Sequence, residues 1–138
     1  MDITQIPFNK HLRLKFSHNE RGDLMLEFDE TMKNHLGIFH AGAQFCLAES
    51  MSGLALQQHF PELEEEVIPM LRKSEVKYSR PAESTIYASA DIDPDEKMRF
   101  KKMFDKKGRA LIRVPVTIRD EAGTITMTGV YEWFIKQR

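Results

Sequence analysis

Glu49 is the one charged residue between Ala41 and Leu56, a stretch whose other polar side chains are Gln44, Ser50 and Ser52. A carboxyl group held in apolar surroundings loses hydration, which raises its pKa and favours the neutral form. An acid tuned upward in this way can serve as a general base or a nucleophile near neutral pH. The structural alternative is a wet helix edge, or an ion pair with Lys or Arg at an interface. A carbonyl under attack gathers negative charge, and backbone N–H groups at a helix N-terminus stabilise such charge. Ala41 and Gly42 stand where the apolar run begins. Small residues there equally suit close packing against a sheet. Ala41 and Glu49 are eight residues apart, which is about 12 Å at a helical rise of about 1.5 Å per residue. One chain therefore cannot bring both groups to one carbonyl carbon. Two antiparallel copies can, because the start of one helix then lies near the middle of the other.

The apolar run extends to Phe60 and is ended by Pro61, and its length favours helix over strand. It is apolar nearly all round, so it predicts a helix buried on every side, and something must wrap it. Alternating segments supply the wrapping. Leu12–Phe16 and Leu24–Phe28 read as a hairpin across the turn residues of SHNERGD. Lys73–Tyr78, Ser84–Ile92, Ala110–Ile118 and Thr124–Ile135 each alternate with a period of two. Pro115 cannot donate to a ladder, so an edge position or a bulge is expected there. A second, short helix is predicted between strands four and five. Asp93 is its N-cap, Pro94 its first residue, Phe100, Met103 and Phe104 its apolar face, and Gly108 its stop. The layout is α+β: an antiparallel sheet of about six strands curled around one long helix.

At 138 residues the chain reads as a single domain, 1–138, with 41% hydrophobic and 30% charged residues. A net charge of −1 gives no electrostatic argument for nucleic acid. Cys46 is the single cysteine, which excludes an internal disulfide and fits a reducing compartment. The N-terminus has no signal-peptide pattern, and no apolar run of about 18 residues lacks a charge, so neither secretion nor a membrane span is expected. A cytoplasmic protein is the default reading.

The segment Asn34–Gly53 resembles the helix region of PaaI-type acyl-CoA thioesterases of the hotdog fold. Their pattern appears here as Asn34, then His40-Ala41-Gly42-Ala43, then Leu47-Ala48-Glu49 and Gly53. Val76, Tyr78 and Arg80-Pro81-Ala82 are similar to the family's V-x-Y/F-x-RPA strand. The resemblance spans about Leu12 to Ile135 and is nearest to the DUF4442 branch, which carries a similar extra helix before the fifth strand. It departs from the PaaI pattern at Ala41, where a glycine is usual, and at Glu49, where an aspartate is usual. Gly53 occupies a place where a related branch carries a hydroxyl, and Ser52 is the neighbouring candidate for that role.

The resemblance implies a composite site in a homodimer, or a tetramer built from dimers, with an acyl-CoA substrate and no cofactor. Asn34 and the amides of Ala41 and Gly42 would come from one subunit, and Glu49 from the other. Glu49 would attack the thioester or activate water. Asn34 would hold the carbonyl or a water, unless it caps the turn near His35. His40 orders the helix start. Phe39, Phe45, Met51 and Leu54 are candidates to line the acyl pocket. Arg80, or the seven basic residues within Glu96–Arg109, could meet the phosphates of coenzyme A, though a solvated surface is the favoured reading for both. The rival reading is a hotdog module that binds an acyl or CoA-like ligand without turning it over. No metal site is expected, since His11, His18, His35, His40 and His59 show no ligand spacing. No G-x-S-x-G elbow or glycine-rich phosphate loop is present.

Overall fold

The computed structural model describes all residues, Met1–Arg138. Two short elements that periodicity did not reveal open the chain: a 3-10 turn at Ile3–Gln5 and helix α1, Pro7–His11. Asp2 caps the first by accepting the Thr4 N–H, and Pro7 starts the second, where a missing N–H is harmless. Strands β1 (Lys15–Asn19) and β2 (Gly22–Leu26) follow as a hairpin with a tighter turn than expected. Gly22 is required there, because a Cβ would lie 2.2 Å from the Ala88 carbonyl oxygen.

Helix α2 spans Ala41–His59, and strands β3 (Val67–Tyr78) and β4 (Ile86–Ala90) come next. Helix α3 covers Pro94–Lys107, and β5 (Arg109–Asp120) and β6 (Ile125–Gln137) complete the chain. The sheet is antiparallel throughout, in the order β1-β2-β4-β5-β6-β3. It wraps α2. Ala43, Leu47, Ala48, Met51 and Ala55 of the helix meet Leu24, Ile86, Ile112 and Met127 of the sheet in one 29-residue core. Each large aliphatic side chain buried here stabilises the fold by about 1.5–3 kcal/mol.

The helix is not buried on every side. Ala41 and Gly42 are exposed, and Phe45, Cys46, Glu49, Gly53, Leu56 and Gln57 are only partly covered. These positions form one stripe along the rod that no element of the same chain closes.

Pro115 lies in β5, an interior strand, yet the edge condition holds locally. The β4–β5 ladder ends at Ala90–Val116, so at Pro115 the strand keeps only its β6 neighbour, paired through Val130. Helix α3 takes over where β4 stops. Its Glu96 accepts the Arg113 N–H at 3.0 Å, and its Arg99 donates to the Leu111 carbonyl at 2.7 Å. The ring of Pro115 removes the donor that would come next on that side. The α3 ends fall as expected: Asp93 caps the Asp95 N–H, and Gly108 closes the helix at φ 65°. Met103, however, keeps 38% of its surface exposed and lies outside the core.

The true sheet edges are β1 and β3. β3 runs from Val67, earlier than the alternation at Lys73 indicates, and carries Pro69 near its start, a residue that edge strands tolerate.

Candidate functional site

The helix start is built by its loop. Lys33 and Phe39 form an isolated bridge, and between them Asn34 Oδ1 accepts the N–H groups of Leu36 (2.9 Å) and Ile38 (3.3 Å). Asn34 is thus a turn-capping residue, with Gly37 at φ 75° in the turn it closes. Its Nδ2 group makes no hydrogen bond within the chain and remains a donor.

His40 is the N-cap of α2: its Nδ1 accepts the Gly42 N–H at 2.8 Å. Of the two amides expected to meet developing charge, Gly42's is therefore occupied and Ala41's is free. A Cβ at Gly42 would come 3.0 Å from His40 Nδ1, so the cap also asks for glycine there. Tyr78, at the end of β3, donates its hydroxyl proton to the Ala41 carbonyl at 3.0 Å and ties the sheet edge to this turn. The segment Arg80–Ala82 is anchored at the same end, through the Phe39 N–H to the Ala82 carbonyl at 2.9 Å. Arg80 itself is exposed and forms no ion pair.

Glu49 lies two turns further on, partly buried on the uncovered stripe. Burial pushes its carboxyl above the ordinary range, and the neighbouring Ser50 hydroxyl opposes that only in part. The Ser50 hydroxyl has one proton, and it goes to Asn9 Oδ1 at 3.2 Å. No lysine or arginine pairs with Glu49. Around it, burial and then the Glu49 charge raise the Cys46 thiol. Burial first, then its acidic neighbours, also push the Tyr131 phenol far up, and its hydroxyl donates to the Phe45 carbonyl at 3.1 Å. The Phe45 and Tyr131 rings lie 5.3 Å apart. Tyr78 is raised by burial, then by Cys46.

The structure gathers Asn34, His40, Ala41, Gly42 and Arg80 at one end of α2. It places Glu49, Phe45 and Gly53 along the open stripe beyond. It turns Ser52 and Met51 the other way. Met51 is wholly in the core. The Ser52 hydroxyl donates to the Glu49 carbonyl at 2.6 Å and accepts the Trp133 indole N–H at 2.9 Å. Phe39 and Leu54 are core residues as well. On α3, Lys101 pairs with Glu62 and Asp105, and Arg99 is engaged with Glu96 and β5. Lys97 lies over the Phe60 ring, 5.5 Å from its centroid, which leaves Lys102, Lys106 and Lys107 as a solvated face. No three His, Cys, Asp or Glu side chains stand together as a metal-ligand group, and no helix is long and apolar enough to cross a membrane.

The family profile described as Domain of unknown function (DUF4442) matches residues 5–135. The chain belongs to the DUF4442 family. Among solved structures it is similar to PA5026 from Pseudomonas aeruginosa, a probable thioesterase. The identity is 22% over 99% of this chain and 91% of that one, with a TM-score of 0.81. It is also similar to the thioesterase HI1161 from Haemophilus influenzae, at 17% identity over 98% and 86% of the two chains and a TM-score of 0.75. BH2602 from Bacillus halodurans, solved with CoA, is 17% identical over 90% of this chain and 72% of its own, with a TM-score of 0.66. These likenesses give the DUF4442 chain the hotdog fold. No protein of curated function matches its sequence.

Five residues that flank these candidates in the DUF4442 chain are not expected there from the sequence. Tyr78 is visible as a strand aromatic, but not as the residue that holds the helix start. Tyr131 looks like any inward strand residue. The N-terminal residues Ile3, Ile6 and Asn9, which flank Glu49 and Gly53, fall in a stretch too short for periodicity to show.

Proposed function

We propose that this DUF4442 protein is an acyl-CoA thioesterase whose site is assembled from two copies of the chain, acting on a small or medium acyl- or aryl-CoA. The observation that carries this is the pairing of two unmet groups on one helix. Glu49 is a half-buried carboxyl with no cation, and the Ala41 N–H has no acceptor, about 12 Å away along the rod. An antiparallel partner helix over the uncovered stripe would bring each group to the other's counterpart. The unpaired β3 edge, 12 residues long, offers the backbone with which such a partner could extend the sheet.

In that arrangement Glu49 takes a proton from water, the water oxygen adds to the thioester carbon, and the oxyanion is met by Ala41 N–H and Asn34 Nδ2 of the other copy. The C–S bond then breaks, the acid is released, and coenzyme A leaves as a thiolate that recovers a proton. Direct attack by Glu49 would instead give a mixed anhydride that water opens. Arg80, unpaired beside the helix start, is the candidate for a phosphate of coenzyme A.

Incubation with a panel of acyl-CoAs, following free thiol, tests the reading. Thiol release that disappears in Glu49→Gln supports it. Binding of acyl-CoA without release, unchanged by that substitution, selects the non-catalytic module instead.

A further inference from the structure

A cavity of about 770 Å³ runs from Glu49 along the C-terminal half of α2. Its back wall is the helix stripe Glu49, Gly53, Leu56 and Phe60. Ile3 and Ile6 of the N-terminal segment form one side, and Val67, Trp133 and Ile135 of the sheet form the other. Phe100 closes the far end against Phe60, with ring centroids 5.0 Å apart. The volume falls in the range of small-molecule sites, about 300–1,000 Å³. Two of the polar groups that reach it, Asn9 and Ser50, are spent on each other and on the Ile3 carbonyl. Gln57, Glu64, Glu65 and Arg138 are further polar members of the lining, and the amino group of Met1 pairs with Glu64 there. Ile3, Ile6, Leu56, Leu63, Val67 and Ile135 give the lining its aliphatic part.

We infer that this cavity holds a linear acyl chain of medium length, and that Gly53 is the residue that keeps it open. This rests on the thioesterase reading, because Glu49 at the head of the cavity is the proposed reacting group. From Glu49 to Phe60 is eleven residues, about 16 Å of helix at a rise of about 1.5 Å per residue. A zigzag of C–C bonds of about 1.5 Å advances about 1.25 Å per carbon, so roughly twelve carbons span that length. An aromatic ring would fill only the first third. Gly53 stands one turn below Glu49. A Cβ there would meet Ile3 Cδ1 at 3.5 Å and Trp133 Cζ2 at 3.8 Å, both ordinary contacts. A methyl therefore already touches both walls without displacing them, and a longer side chain must push Ile3 or Trp133 aside or block the cavity at this level. It would cut the available length to about 6 Å, roughly five carbons.

Trp133 is the only tryptophan of the chain and forms part of the wall, so its fluorescence reports on occupancy. In the wild type, kcat/KM should rise from butanoyl- to dodecanoyl-CoA, and dodecanoate alone should shift Trp133 emission. In Gly53→Leu the dodecanoyl-to-butanoyl ratio of kcat/KM should fall at least tenfold, with Gly53→Ala between the two, and the dodecanoate shift should vanish. If Gly53→Leu loses its circular dichroism signal, Leu56→Phe narrows the same passage from the next turn and must lower the ratio in the same direction. A length-independent wild type, a preference for benzoyl-CoA, or a ratio unmoved by these substitutions overturns the inference while leaving the thioesterase reading standing. Absence of thiol release from every acyl-CoA defeats that reading, and the fluorescence titration then decides the cavity alone. No dodecanoate shift means that hydrocarbon does not enter, as when a second copy fills the space with its own side chains.

Discussion

The two faces of α2 carry similar residue types and treat them in opposite ways. Toward the sheet, every polar group has an assigned partner: Gln44 accepts the Thr126 hydroxyl at 3.1 Å, and Ser52 accepts the Trp133 indole. No buried side-chain nitrogen or oxygen in the chain lacks a hydrogen bond. Toward the open stripe, Glu49 has no cation, the Ala41 amide has no acceptor, and the side chains are half-covered. The first face obeys the rule that buried polar groups are satisfied, because an unmet one costs about 1–3 kcal/mol. The second face leaves its polar groups unspent. A group that stabilises its own fold is finished with its chemistry, and one held in reserve can still act on something else.

Substitutions separate the faces. The largest effect is expected for Glu49→Gln, a fall in kcat of about 10²–10⁴, the usual worth of a positioned general base, with an unchanged circular dichroism spectrum. A variant with full turnover removes Glu49 from the chemistry. Next comes Ala41→Pro, which deletes the free N–H at the first helical position, where proline is well tolerated. His40 before it already has φ −62° and ψ 134°, the extended backbone that a following proline prefers. A loss of about 10²–10³ in kcat, that of one oxyanion donor, is expected with little change in Tm; equal turnover would show that this amide meets no charge. On the sheet face, Ser52→Ala should act through stability instead. It strands the Trp133 N–H at about 1–3 kcal/mol, read as a lower midpoint in urea, and should lower kcat far less than Glu49→Gln.

The smallest effect is in pH. Glu49 acts as the carboxylate, so the acid limb of kcat/KM should lie above the ordinary carboxylate range, because burial raises it. Its folded pKa is raised, so its favourable contribution to stability is complete at low pH and is lost as pH rises through that value. Glu49→Gln cannot ionise, so it should gain stability over the wild type as pH rises toward neutrality. Parallel stability curves for the two would place Glu49 in open water.

Much of this was legible in the residues. Alternation in Ala110–Ile118 and Thr124–Ile135, the apolar run ended by Pro61, and the Asp93-Pro94 and Gly108 signals fixed most of the elements. The phase of α2 was not legible. Small and apolar residues surround it, so nothing in the string tells whether Gly53 or Ser52 shares the face of Glu49; only the packing of Leu47, Met51 and Ala55 on the sheet decides. For the same reason Met51 and Leu54 read as pocket residues and proved to be core. The first half of β3 hid behind a run of glutamates and Pro69, and α1 behind its brevity.

Beyond Ala90 the wall of the sheet is continued by a helix whose hydrogen bonds to β5 come from Glu96 and Arg99 and whose Phe100 and Phe104 enter the core. That helix also supplies Phe100, the plug at the bottom of the hollow. Depth is thereby uncoupled from strand register: bulk at one α3 position can be traded up or down while every ladder keeps its alignment. On the acyl-chain reading the length gauge sits on a helix outside the sheet, and an engineer wanting a shallower or deeper well would begin there.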